Sequence, residues 1–192
     1  MKSFLARIRP ALVYTLAIII GTSLQFDGRY LGSLGLQADF LLVFPLLTGM
    51  RYGPRDGLII GLASGFFRDY LAGRYFGLGM FFTFLLGWGS GYLPVVRGKL
   101  RLAFYALMVV ASTAVFQFTG AFLVFAGQSF RPKTNLLWIL GQMAVNLPWL
   151  IVKNLILTAV LVVVHYILPP YPKPDKDYRG AMIRFEPEES NV

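Results

Sequence analysis

Small and apolar positions repeat along this chain with the period of a helix. Gly57, Gly61, Gly65, Asp69, Gly73 and Gly77 fall at steps of four, which on a helix makes one slowly drifting ridge. Ser64, Arg68 and Ala72 form the ridge beside it. Asp69 therefore belongs to the small-residue face, and Arg68 borders it. Around this stretch run apolar segments near the roughly 20 residues that a membrane crossing needs. Six helical segments are predicted, over 11–26, 31–50, 56–73, 76–96, 102–127 and within 136–168. As one helix the last would measure about 50 Å, and Pro148 offers a break or kink because it lacks an N–H and crowds the preceding turn.

Composition sharpens this to an all-α, polytopic membrane protein. The chain has 192 residues, of which 56% are hydrophobic and 14% charged, too little charge to cover a soluble surface. Residues 1–168 read as a single six-helix transmembrane domain. Residues 169–192, "PPYPKPDKDYRGAMIRFEPEESNV", read as a flexible cytoplasmic tail. The opening "MKSFLARIRPALVYTLAIII" has the cationic-then-apolar order of a signal peptide, but no small-x-small cleavage site follows, so an uncleaved first helix is expected. Cysteine is absent, which removes disulfides and thiolate chemistry.

Charge placement orients the chain. With a cytoplasmic N-terminus, Lys2, Arg7, Arg9, Arg51, Arg55, Arg97, Lys99, Arg101, Lys173, Lys176, Arg179 and Arg184 lie inside. Only Arg29, Arg74, Arg131 and Lys133 lie outside, leaving Arg68 and Lys153 within spans. That bias fits both termini in the cytoplasm and an even number of crossings of a cell membrane. The net charge of +9 then reports loops facing anionic lipids, including "VVRGKLRL" at 95–102, and not nucleic-acid binding.

Glycines four residues apart let helix backbones approach closely in lipid, and Gly87 and Gly91 repeat the device in the fourth segment. The charged residues of 56–73 are thus expected in a tight seam. Counting from the cytoplasmic ends at 1.5 Å per residue puts Asp39, Asp69 and Lys153 at similar heights, about 18–22 Å up. Gln142, Asn146, Trp149 and Lys153 share one face by their spacing. The expectation is a polar cluster of Asp39, Arg68, Asp69, Asn146 and Lys153, its carboxylates balanced by its cations because unpaired intramembrane charge is costly. The plainer readings are that Arg68 and Lys153 snorkel to water and that Asp39 merely opens its helix.

The stretch "RYGPRDG" followed by "GLIIGLASGFFRDYLAGRYFGLGMFFTFLLGWGSGYL" resembles the MreD family of the bacterial rod-shape complex. The resemblance covers roughly 39–157. It rests on the pattern G-x-x-x-G-L-x-x-D-x-x-x-G and a following glycine-bearing helix, matched by Gly61, Gly65, Asp69, Gly73, Gly77, Gly87 and Gly91. Asp39 opens the second span as an acidic residue, and Asn146 is the nearest match to an asparagine of the final span. Arg68 departs from the apolar or neutral residue usual before the aspartate. The resemblance implies a fold similar to the substrate-binding subunits of energy-coupling-factor transporters. It also implies partners: a bitopic MreC-like protein, a RodA-type glycosyltransferase with its penicillin-binding transpeptidase, and actin-like MreB. The implied role is a non-enzymatic scaffold or regulator of lateral peptidoglycan synthesis and cell shape.

Catalysis and cofactors are not expected. The single histidine, His165, sits near a helix end, and no P-loop, G-x-S-x-G or H-E-x-x-H motif occurs. The rival reading is a vitamin-like small-molecule binding subunit of a transporter, with the polar cluster as its pocket and "ALMVVASTAV" at 106–115 as the face for an energising partner. Phe122, Phe125, Phe130 and Trp138 suit an aromatic interface belt or a periplasmic contact.

Overall fold

A computed structural model of the chain describes residues 2–26, 38–72, 77–93, 100–127 and 136–171. These form six helices and, among the described residues, no strand. The helices are α1 Lys2–Phe26, α2 Phe40–Tyr52, α3 Pro54–Ala72, α4 Leu78–Ser90, α5 Leu100–Gly127 and α6 Leu136–Ile167.

A short apolar helix is the centre of the molecule. Every residue of α2 from Phe40 to Gly49 is buried, on all sides of the helix, as expected of an apolar helix without a polar face. Tyr14 and Ile18 of α1, Ile60 of α3, Tyr105 and Val109 of α5 and Leu161 of α6 close around it. Phe40 and Phe44 stack within α2 at 5.0 Å between ring centroids. The chain leaves α2 through Gly53, whose φ of +106° is open to glycine at no steric cost. Pro54 then opens α3, where the missing N–H had no intrahelical partner to lose.

The glycine ridge packs α3 against α4. A methyl group added at Gly57 would strike the Gly87 carbonyl, one at Gly61 the Thr83 carbonyl, and one at Gly65 the Met80 backbone. Gly49 of α2 meets Gly87 and Ser90 in the same way, and Gly91 meets Pro54. The close approach lets the Thr83 hydroxyl lie 2.7 Å from the Gly61 carbonyl as well as 2.8 Å from that of Gly79. Gly73, expected on this ridge, lies outside the described residues.

Among the described residues, three helices are long and apolar enough to cross a membrane: Ile8–Phe26 within α1, Leu100–Phe122 within α5 and Leu137–Ile167 within α6. The expected second and fourth spans come out shorter. Both α2 and α4 have 13 residues, about 20 Å, against a hydrocarbon core of about 30 Å. The second was expected from 31, but α2 opens at Phe40, and 27–37 lie outside the described residues. Pro148 does not end α6, which runs continuously for 32 residues. The expected tail is fastened at its start, since Pro170 is fully buried and the Tyr171 ring packs on Tyr52 at 5.8 Å. Residues 172–192 lie outside the described residues.

If backbone contact along the ridge holds α3 to α4, Gly61→Ala lowers stability by about 1–3 kcal/mol through overpacking. Gly89→Ala, where the added methyl meets nothing, leaves stability unchanged or raises it by up to about 1 kcal/mol. Unfolding of the two variants in detergent, side by side, checks this; equal effects would contradict it.

Candidate functional site

Arg68 lies one turn from the end of α3 and Asp39 immediately before α2, so the packing of these helices brings the two ends together. The pair is bidentate: Nη1 donates to Oδ1 at 3.0 Å and Nη2 to Oδ2 at 2.8 Å. Parallel hydrogen bonds between planar charged groups are the strong form of this contact. The side chains are only 15% and 7% exposed. The guanidinium also lies 3.8 Å from the centroid of the Phe116 ring, a cation–π contact that replaces part of its lost hydration.

Further bonds extend the pair across the bundle. Gln25 of α1 donates from Nε2 to Asp39 Oδ1 at 3.3 Å, while its Oε1 accepts the Leu41 backbone N–H at 3.0 Å. The Asp39 backbone N–H donates to Asn154 Oδ1 at 2.8 Å, and Asn154 Nδ2 donates to the Thr113 hydroxyl at 2.9 Å. Asn154 and Thr113 have no exposed surface. One ion pair is thereby tied to α1, α2, α3, α5 and α6, and its groups are hydrogen-bonded as buried polar groups require.

Asp69 points elsewhere. Adjacent residues on a helix face about 100° apart, so Arg68 reaches α2 while Asp69 reaches the start of α4. Its Oδ2 accepts the N–H groups of Gly77 at 2.8 Å and Met80 at 3.0 Å, and its Oδ1 that of Gly79 at 3.0 Å. A carboxylate at a helix N-terminus satisfies donors that have no intrahelical partner and faces the positive end of the helix dipole. Gly77 holds the approach with φ of +99°.

The expected cluster therefore divides. Asp39 and Arg68 form an ion pair, and Asp69 is a separate tie between α3 and α4. Asn146 is exposed and its amide donates to the Gln142 carbonyl of its own helix at 3.0 Å. Lys153 is half-buried, and its ammonium lies 5.4 Å from the Trp149 ring centroid; neither joins Asp39. The asparagine that does is Asn154. It heads a stripe with Thr158, Leu161 and His165, all buried, at the same intervals of four, seven and eleven residues that link Gln142, Asn146, Trp149 and Lys153.

A second polar group marks the opposite end of the bundle. The Tyr14 hydroxyl donates to Asp56 Oδ2 at 2.8 Å. Burial, and after it a hydrogen bond to Asp56, holds the Tyr171 phenol above its ordinary range. A ring nitrogen of His165 lies 2.8 Å from the Leu161 carbonyl, and its ring stacks on Phe44 at 5.7 Å.

Scans of protein families, curated proteins and solved structures return no match to this chain. The geometry itself must carry the reading. No group of three or more His, Cys, Asp or Glu able to hold a metal occurs among the described residues. Asp39 and Asp69 each have both oxygens occupied by donors of the chain, so these carboxylates act here as fasteners between helices.

Asp39→Asn should cost about 3–5 kcal/mol, because it strands a buried guanidinium. The double variant Asp39→Asn, Arg68→Gln should recover much of that loss. A double-mutant cycle in detergent or bicelles measures the coupling, and additive losses would mean the pair does not form. Asp69→Ala should cost about 1–2 kcal/mol as a lost helix cap, independently of Arg68.

Proposed function

We propose that this chain is a non-enzymatic scaffold of the MreD kind, embedded in a bacterial cell membrane with both termini in the cytoplasm and six crossings. Its proposed task is to hold a bitopic MreC-like protein, a RodA-type glycosyltransferase with its penicillin-binding transpeptidase, and actin-like MreB in one wall-elongation assembly. One observation supports this reading above the others. The Asp39–Arg68 pair and its attached amides close on one another across five helices, and Asp69 closes the sixth.

A ligand-binding subunit places polar groups around a pocket so that a substrate can complete their hydrogen bonds. Here those groups complete each other's. What the bundle offers outward is helix surface, such as Leu107, Val115, Phe118 and Phe122 along α5, all exposed. A rigid body with apolar faces suits holding other membrane proteins at fixed positions. The basic ends, among them Arg51 and Arg55, favour the cytoplasmic leaflet and its anionic lipids.

Purification of the tagged full chain from a rod-shaped bacterium that encodes it, in mild detergent, tests the proposal. The expected eluate holds an MreC-like single-span protein and no stoichiometric small molecule, and depletion of the chain turns rods into spheres. An organic ligand released on denaturation, with no MreC-like protein and no change of cell shape, would support the vitamin-binding alternative instead.

A further inference from the structure

Among the described residues, no carboxylate answers the charge of Lys153. It is 14 residues from Ile167 and 17 from Leu136, so it sits about 21 Å from one end of α6 and about 25 Å from the other. With the cytoplasmic end of α6 at the inner boundary of a hydrocarbon core about 30 Å thick, Lys153 falls inside the outer half of that core. Its neighbour Asn154 turns into the core, whereas among the described residues the Lys153 ammonium has only the face of Trp149 beside it. Ammonium ions at such depth normally have an anionic or hydrogen-bonding partner.

The described carboxylates cannot serve. Asp39 is bound to Arg68, Asp56 accepts from Tyr14, and Asp69 caps α4. The surface around Lys153 is equally unpartnered. Trp138, Trp149 and Ile156 are 61%, 56% and 57% exposed, and Gln142 and Asn146 are exposed on the same face. Two amides, two indoles and a cation make an unusual surface for lipid, but a suitable one for a polar helix. Gly141 beside them has open space where a side chain would be.

We propose that this face of α6 docks a transmembrane helix of a different protein, one that presents an aspartate or glutamate to Lys153 and polar side chains to Asn146 and Gln142. A second copy fits less well, because each carboxylate described within the helices is already bound inside its own molecule. The inference deepens the scaffold reading and rests on it only for the existence of a membrane partner.

The test uses purified full-length chain in lipid vesicles with synthetic leucine–alanine transmembrane peptides carrying one central Glu, Gln or Leu. Association is read by energy transfer between donor-labelled protein and acceptor-labelled peptide. The Glu peptide should bind about tenfold more tightly than the Leu peptide, with the Gln peptide between them. Lys153→Gln should abolish the preference for Glu over Gln, and Lys153→Arg should keep it. Equal binding of the three peptides to the unaltered chain overturns the proposal without needing any variant to fold. So does a Glu preference that survives Lys153→Gln, or energy transfer between copies of the chain that excludes the Glu peptide. The outcome is independent of cell shape, so a failed wall-synthesis role and a failed docking face are told apart.

Discussion

A guanidinium inside a bundle of apolar helices is tolerable only if its charge and its donors are met, and Asp39 meets both through two parallel hydrogen bonds. That requirement fixes more than two side chains. For the forks to align, α2 must begin at the height where α3 is about to end. Gln25 brings the end of α1 to the same height by bonding both the Asp39 carboxylate and the Leu41 backbone. Asn154 and Thr113 then set the register of α6 and α5 against it. Hydrophobic burial around α2 drives association but is non-directional. The polar tie selects the axial alignment in which Asp39, Arg68, Gln25, Asn154 and Thr113 meet one another.

Asp69 and the glycine ridge are two halves of a second constraint. Three backbone N–H groups at the start of α4 can converge on one carboxylate only if α4 lies very close to α3. Gly57, Gly61 and Gly65 permit that distance because each lies where a Cβ would collide with α4 backbone. Conversely, small residues alone leave two helices free to slide along each other. The Asp69 contacts lock the slide. Adjacent residues of opposite charge thus fasten α3 to different neighbours, and the sequence Arg68-Asp69 is explained by geometry without any exchange between its members.

Much of this was legible in the order of residues. The steps of four marked the α3–α4 seam, and the cost of intramembrane charge marked Asp39, Arg68 and Asp69 as buried and partnered. Other parts were hidden for identifiable reasons. On α6 two stripes share one periodicity, Gln142–Asn146–Trp149–Lys153 and Asn154–Thr158–Leu161–His165, and spacing cannot say which faces the core. The more polar stripe is the more conspicuous, yet the inward one carries Asn154, the amide of α6 that binds Asp39. Gln25 was concealed at the end of an otherwise apolar helix, where it reads as a boundary residue. The lengths of α2 and α4 were overestimated because apolar composition continues past the point where the helices stop.

Height along the bundle gives these ties their significance. Below the level of Asp39 and Arg68, α2, α3 and α4 pack on one another and α1, α5 and α6 pack against α2. Above it, among the described residues, α5 and α6 continue alone for about 20 Å or more, and of the side chains described from Ala114 onward on α5 and up to Leu150 on α6, Ala121 and Ile139 are the buried ones. A two-helix arm of this length would pivot if only dispersion forces held its base. Asn154 and Thr113 sit at that base and bond to the same network as α1, α2 and α3, so the arm is rooted in the part of the molecule with the most directional contacts. An exposed surface carried on such an arm keeps a fixed position relative to the helices packed around α2, which is the mechanical property that the proposed scaffold role needs.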